Sequence, residues 1–263
     1  MVQGRLFGPR GVIDPVTTRR AALAAFAAAA TASLVGPGVA LGKNKKKCAK
    51  CCKKGKKNQS RVRVVHASPN APNVDVYVDD ALAIENLAFG KATALLQIPA
   101  GEHNVKVTPA GETTPFVIDE DVVLDGCASY EVSATGLLVD IEAQVYPIPR
   151  TRLGKKTARV RIIHNSPGAP AVDVKVAGTD IFLAKNLAFP NAANPVEVPA
   201  GTYDVQVLVA NTSTVVLTVP DVQLKSGQVY DIFAIGLVAG NPAFTVLPLI
   251  AKACCGRGPA PEE

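Results

Sequence analysis

"RVRVVHASPNAPNVDVYVDD" (residues 61–80) returns almost unchanged as "RVRIIHNSPGAPAVDVKVAG" (residues 159–178). Each version carries one His, one Ser-Pro, one Ala-Pro and one Val-Asp-Val. In the first, Val62, Val64 and His66 share one side of an extended chain, with Arg61, Arg63 and Val65 opposite. Val74, Val76 and Val78 then alternate with Asp75, Tyr77 and Asp79. A period of two on both sides of a Pro/Asn turn reads as two half-buried β-strands, one face toward a core and one toward solvent. On this reading Asp75 points away from the core and His66 toward it.

The duplication runs on. "NLAF" begins at Asn86 and at Asn186, "IPAGEHNVKV" (98–107) answers "VPAGTYDVQV" (198–207), and "DVVLDGCASYEVSATGL" (121–137) answers "DVQLKSGQVYDIFAIGL" (221–237). Two copies result, 61–149 and 158–251, joined by the polar stretch 150–157 and followed by a short tail, 252–263. About 90 residues per copy suits a sandwich of about seven strands, each copy folding as its own unit. Trp is absent, while 21 Gly and 20 Pro supply turns. "LKSGQVY" (224–230) resembles the tyrosine corner of immunoglobulin-like sandwiches, and "LDGCASY" (124–130) keeps Leu124 and Tyr130 but places Cys127 where the other copy has Gly227. Tyr130 and Tyr230 are the corner candidates. The expected class is all-β, with two tandem immunoglobulin-like antiparallel β-sandwich domains.

Charge divides the chain. Residues 1–42 hold four Arg and one Asp, residues 43–60 hold nine Lys and no acid, and residues 61–263 hold 15 basic and 21 acidic side chains. The net +6 is therefore a basic leader and tail on an acidic body, and no nucleic-acid partner is expected. The leader reads as an export signal. Arg19 and Arg20 precede an apolar run, Ala21–Val35, and small residues place cleavage near Ala40. The Arg pair resembles a twin-arginine signal, although Ala22 stands where that motif usually has Phe. The apolar run is short for a membrane span, and no later stretch is long enough, so no transmembrane span is expected in the mature chain.

With "VRVVHASPNAPNVDVYVD", "NLAF", "IPAG" and "NVKV" in hand, the chain resembles bacterial exported proteins that carry tandem copies of the domain of unknown function 4397. The resemblance implies a β fold and a secreted or cell-surface setting, and it implies no reaction.

Two readings of the repeated motif compete. His66, Ser68 and Asp75, with His164, Ser166 and Asp173, have the residue types of a nucleophile, a base and an orienting acid. But Ser68 and Ser166 precede Pro, which suits turns, and neither copy has a nucleophile elbow. The favoured reading is a structural turn motif, with no catalytic, cofactor-binding or metal residues and no cofactor. The acidic run Asp119–Asp125 with Asp79 and Asp80 has the chemistry of a calcium site but no calcium-loop spacing, so solvated loops are favoured.

"KNKKKCAKCCKKGKK" (43–57) admits three readings: a tether to anionic wall polymer or membrane lipid, a soft-metal site on Cys48, Cys51 and Cys52, or a disulfide segment. Cys48, Cys51, Cys52, Cys127, Cys254 and Cys255 are the disulfide candidates. Adjacent cysteines rarely bond each other, so a link between the two chain ends is expected, with Cys127 taking a remaining thiol of the basic tail. Function is expected to be surface binding, adhesion or structure without catalysis. The alternative is an extracytoplasmic enzyme or small-ligand-binding protein using the His/Asp turns.

Overall fold

In a computed structural model, residues 58–253 are described. The export-signal residues Arg19, Arg20 and Ala40, and Cys48, Cys51, Cys52, Cys254 and Cys255, lie outside them. Alternation decides what each strand does with its two faces. The first copy folds as β1 (Gln59–His66), β2 (Val74–Val78), β3 (Ala81–Leu87), β4 (Leu96–Pro99), β5 (Gly101–Pro109), β6 (Ile118–Leu124), β7 (Ser129–Thr135) and β8 (Glu142–Pro147). The second repeats the series as β9 (Thr157–His164), β10 (Val172–Val176), β11 (Phe182–Leu187), β12 (Val196–Pro199), β13 (Gly201–Val209), β14 (Val215–Leu224), β15 (Gln228–Ile235) and β16 (Thr245–Lys252).

Each copy is a sandwich of two four-stranded sheets with one topology. Sheet β4-β1-β7-β8 covers β3-β2-β5-β6, and β12-β9-β15-β16 covers β11-β10-β13-β14. The inner faces close over Val62, Val74, Val76, Val107, Leu124, Tyr130 and Val132 in copy one. In copy two they close over Val160, Ile162, Val172, Val174, Leu183 and Val207. Eight strands form per copy rather than about seven. One pair in each copy, β1 with β7 and β9 with β15, is parallel inside an otherwise antiparallel fold. Among the described residues no helix is long and apolar enough to cross a membrane.

The expectation of one wet face on β1 fails. Arg63 and Val65, opposite Val62 and Val64, are buried too. They meet the second copy: Val65, Ala67 and Tyr146 pack with Ile163, Phe233, Ile235 and Leu249 in one apolar cluster. The outward faces of β4-β1-β7-β8 and β12-β9-β15-β16 are thus turned toward each other, which makes four β layers. Leu153 and Ile148 are buried with Val229, Ala251 and Ala253, and Arg159 Nη1 donates to Thr151 Oγ1 at 2.7 Å.

Charge is buried in the same interface. Arg161 grips Asp231 bidentately, Nε to Oδ1 at 2.7 Å and Nη2 to Oδ2 at 2.8 Å. Glu131 of copy one lies 3.3 Å from Arg63 and 3.8 Å from Arg161. Burial, with the charge of Asp231, pushes the Glu131 carboxyl up to about 9 against the pull of the two guanidinium groups, so it carries a proton at neutral pH.

Two substitutions separate these roles. Glu131→Gln keeps a neutral group of the same shape and is expected to change unfolding free energy by less than about 1.5 kcal/mol. Asp231→Asn strands the Arg161 guanidinium and is expected to cost about 3–5 kcal/mol. Urea unfolding followed by circular dichroism measures both, and equal costs would contradict the assigned protonation.

Candidate functional site

The residues singled out by the repeat sit where the four layers meet their loops. His66 ends β1 and is fully buried. Its Nε2 lies 2.9 Å from the Pro72 carbonyl, an acceptor, so Nε2 carries the proton. His164 does the same with Pro170 at 3.1 Å. Each imidazole stands edge-on to the Phe of its "NLAF" segment, Phe89 at 6.2 Å and Phe189 at 6.4 Å between ring centres. The backbone completes the junction: Gly90 N donates to the His66 carbonyl, and His66 N donates to the Lys91 carbonyl. Desolvation pushes both imidazoles below their ordinary range, opposed by the carbonyl bonds.

Asp75 and Asp173 are loop fasteners. Asp75 Oδ1 accepts from Asn86 N at 2.7 Å and Oδ2 from Gly111 N at 2.8 Å. Asp173 accepts from Asn186 N at 2.6 Å and Asn211 N at 3.0 Å. All four donors have positive φ, between 45° and 81°, so each carboxylate holds two left-handed turns in place. Asp75 does lie on the outward face of β2, as alternation requires, but two loops fold over it and bury it. Ser166 Oγ donates to the Gly236 carbonyl at 2.6 Å. Ser68 is equally buried, and its hydroxyl has no partner. At the corners, Tyr130 OH accepts from Asp125 N at 3.0 Å and Tyr230 OH from Lys225 N at 2.8 Å.

The His and Asp side chains of each copy bond backbone at separate points, and no side chain of the motif bonds another side chain of the motif. Each ring's protonated nitrogen already faces a carbonyl and is closed to solvent. What the sequence reading missed is that "His-Ser-Pro" and "NLAF" are two halves of one junction. The signal was present in their joint recurrence, since Asn86 and Asn186 are the partners of Asp75 and Asp173.

Outside the motif, His103 holds both ring nitrogens on acceptors, Nδ1 on Asp79 at 2.7 Å and Nε2 on the Pro99 carbonyl at 2.9 Å. Two acceptors call for two N–H groups, and the bond to Asp79 is the main force raising this imidazole above its ordinary range. In copy two Tyr203 takes the place and donates to the Pro199 carbonyl at 2.9 Å. The suspected calcium ligands are otherwise engaged. Asp80 meets Lys106 at 2.5 Å, and Asn104 Nδ2 bonds Asp119 and Asp121, each at 3.0 Å. Among the described residues no three His, Cys, Asp or Glu side chains are placed to hold a metal ion.

A family model described as "Domain of unknown function (DUF4397)" matches residues 60–175 and 158–251. No curated protein matches the chain. Among solved structures, a family 26 carbohydrate-binding module from Eubacterium rectale in complex with maltoheptaose is similar at 11% identity and TM-score 0.25, over 72% of this chain and 95% of that one. A candidate cell adhesion protein from Bacteroides ovatus is similar at 9% identity and TM-score 0.24, over 75% of this chain and 98% of that one. One from Parabacteroides distasonis reaches 10% and 0.19, over 76% and 99%. Values this low transfer no property.

The histidines set opposing pH responses. For His66 and His164 the unfolded chain takes up protons below about 6.5 while the folded chain resists. Their contribution is therefore present above that pH and lost as pH falls. His103 is the reverse: its contribution is complete below about 6.5 and is lost as pH rises through its raised value. Melting curves between pH 7.5 and 5.5 should thus show a steeper loss on acidification in His103→Tyr than in the parent, and a shallower loss in a His66→Gln/His164→Gln double variant. Asp75→Ala orphans two backbone N–H groups and is expected to cost about 1–3 kcal/mol for each one left dry, read by chemical denaturation.

Proposed function

The chain belongs to the DUF4397 family, and we propose that it is an exported, non-catalytic surface protein that binds through the outer faces of its two sandwiches. The reading is supported by where the side chains are already used. Asp75, Asp173, Ser166 and one nitrogen of each motif His are engaged in holding loops, and the central strands β1, β7, β9 and β15 are covered on both sides. Sheets β3-β2-β5-β6 and β11-β10-β13-β14 keep a face toward solvent. In copy one that face carries Tyr77, Phe116 at 41% exposure, and Lys106, whose Nζ stands 5.2 Å from the Phe116 ring centre. In copy two Lys185 stands 4.1 Å over Phe182. A sheet face with aromatic rings beside charged groups offers stacking area and hydrogen bonds to an extended polymer. The sequence of residues 1–42, read as an export signal, agrees with a partner at the cell surface, and the wall fraction is the partner class we assign.

Sedimentation of the mature protein with the wall fraction of its own cells tests this. The parent is expected to pellet with the wall, and Lys106→Ala/Phe116→Ala/Phe182→Ala to remain in solution with an unchanged melting temperature. His66→Ala is expected to melt earlier and still pellet. Retention of wall binding in the surface variant, or its loss in His66→Ala while that protein stays folded, would sink the assignment.

A further inference from the structure

The interface between the copies has an approximate two-fold symmetry at its centre. Arg63 Nη2 of copy one donates to the Ile250 carbonyl at 2.8 Å, and Arg161 Nη1 of copy two donates to the Pro147 carbonyl at 2.8 Å. These are one bond made twice. Arg63 and Arg161 correspond in the repeat, and Pro147 and Ile250 each lie opposite the corner tyrosine of their own copy, Tyr130 and Tyr230. Residue i of one copy thus meets residue j of the other, and j meets i, as in a two-fold dimer of a single domain.

Beside that centre the symmetry is broken. Asn165 of copy two is completely buried. Its Nδ2 donates to Ser133 Oγ of copy one at 2.6 Å, and the Tyr146 hydroxyl donates to its Oδ1 at 2.9 Å. In the symmetry-related half the corresponding residues are Ala67, Phe233 and Leu249. Ala67 and Phe233 hold the repeat positions of Asn165 and Ser133, and Leu249 stands opposite Asp231 as Tyr146 stands opposite Glu131. All three are buried in one apolar cluster. Tyr146 serves both halves, since its ring stands edge-on to Phe233 with 5.9 Å between ring centres.

The charged centre does not tell the copies apart, because each supplies one Arg and one acid, Arg63 with Glu131 and Arg161 with Asp231. The flanking sets do. Copy two against another copy two would press the Asn165 amide on Phe233 and Leu249, where nothing bonds it and the larger side chains overfill the space. Copy one against another copy one would set Ala67 beside Ser133, leaving that hydroxyl dry over a void. Only the unlike pair fills both halves.

We propose that Asn165, Ser133 and Tyr146, with Ala67, Phe233 and Leu249, form a pairing code. The interface face of each copy takes the opposite copy as its partner and rejects its own kind. Specificity of this sort is a difference between two pairings, set as much by what the wrong one orphans as by what the right one gains.

Inverting the code tests this in the intact chain. Asn165→Ala/Phe233→Ser/Leu249→Tyr gives copy two the pattern of copy one, and Ala67→Asn/Ser133→Phe/Tyr146→Leu gives copy one the pattern of copy two. Each triple variant forces a like pairing and is expected to melt roughly 5–10 °C below the parent for a chain of this size. Joining both sets in one chain restores the unlike pairing with its halves exchanged. That chain is expected to recover more than half of the larger loss, although it carries every substitution of both triples. A combined variant that melts at or below the less stable triple shows that the costs are local to each site and overturns the code. A triple variant that melts with the parent overturns it equally. Should the triple variants fail to fold, a cooperative transition in the combined variant supports the code, and its absence overturns it.

Discussion

Arg161 and Asp231 form a two-point ion pair with almost no access to water, on the face of copy two that meets copy one, where Glu131 lies 3.8 Å from Arg161. A guanidinium and a carboxylate taken out of water are tolerable only when each fills the other's hydrogen-bonding capacity. The pair sits on β9 and β15, which are bonded in parallel and set Arg161 directly opposite Asp231 in register. Copy one brings Arg63 and Glu131 to the same place by the same register of β1 and β7. Two copies of one pattern thus bring four ionisable groups into one interface. The protonated state of Glu131 lets a second carboxyl remain there without doubling the negative charge. Around it, Val65, Ile163 and Phe233 supply the apolar contact that no single copy could close alone.

Duplication also shows which parts of the pattern are fixed by physics and which are adjustable. The His-to-carbonyl bond, the edge-on Phe and the double-capped Asp recur in both copies with matching geometry, because each meets the same need of a buried loop junction. The differences fall where the copies have different neighbours. Ala67 packs in the apolar interface, while its counterpart Asn165 lies in the same interface but donates to Ser133 Oγ at 2.6 Å and sits 2.9 Å from the Tyr146 hydroxyl. His103 and Tyr203 perform one bond to a Pro carbonyl with different chemistry, and only the His brings an aspartate with it.

Much of this was legible in the chain of letters. Strand positions, the duplication, the corner tyrosines and the burial of His66 follow from alternation and spacing, since a strand's side chains must alternate and a turn before Pro has few conformations. The role of Asp75 was legible only in part. Its outward direction followed from its position between Val74 and Val76, but its burial depends on loops at Asn86 and Gly111, and a period of two carries no information about what folds over a face.

The sequence by itself determined two β-sandwiches, because hydrophobic periodicity and turn chemistry are local properties. Only the tertiary structure decided that the second face of β1 and β9 is an interface rather than a surface. Arg63 and Val65 read as an ordinary wet face of mixed character, and nothing local to them announces a partner. What buries them is the matching face of the other copy, about a hundred residues away, and such a pairing exists only once both sheets are folded and their charges can be satisfied together.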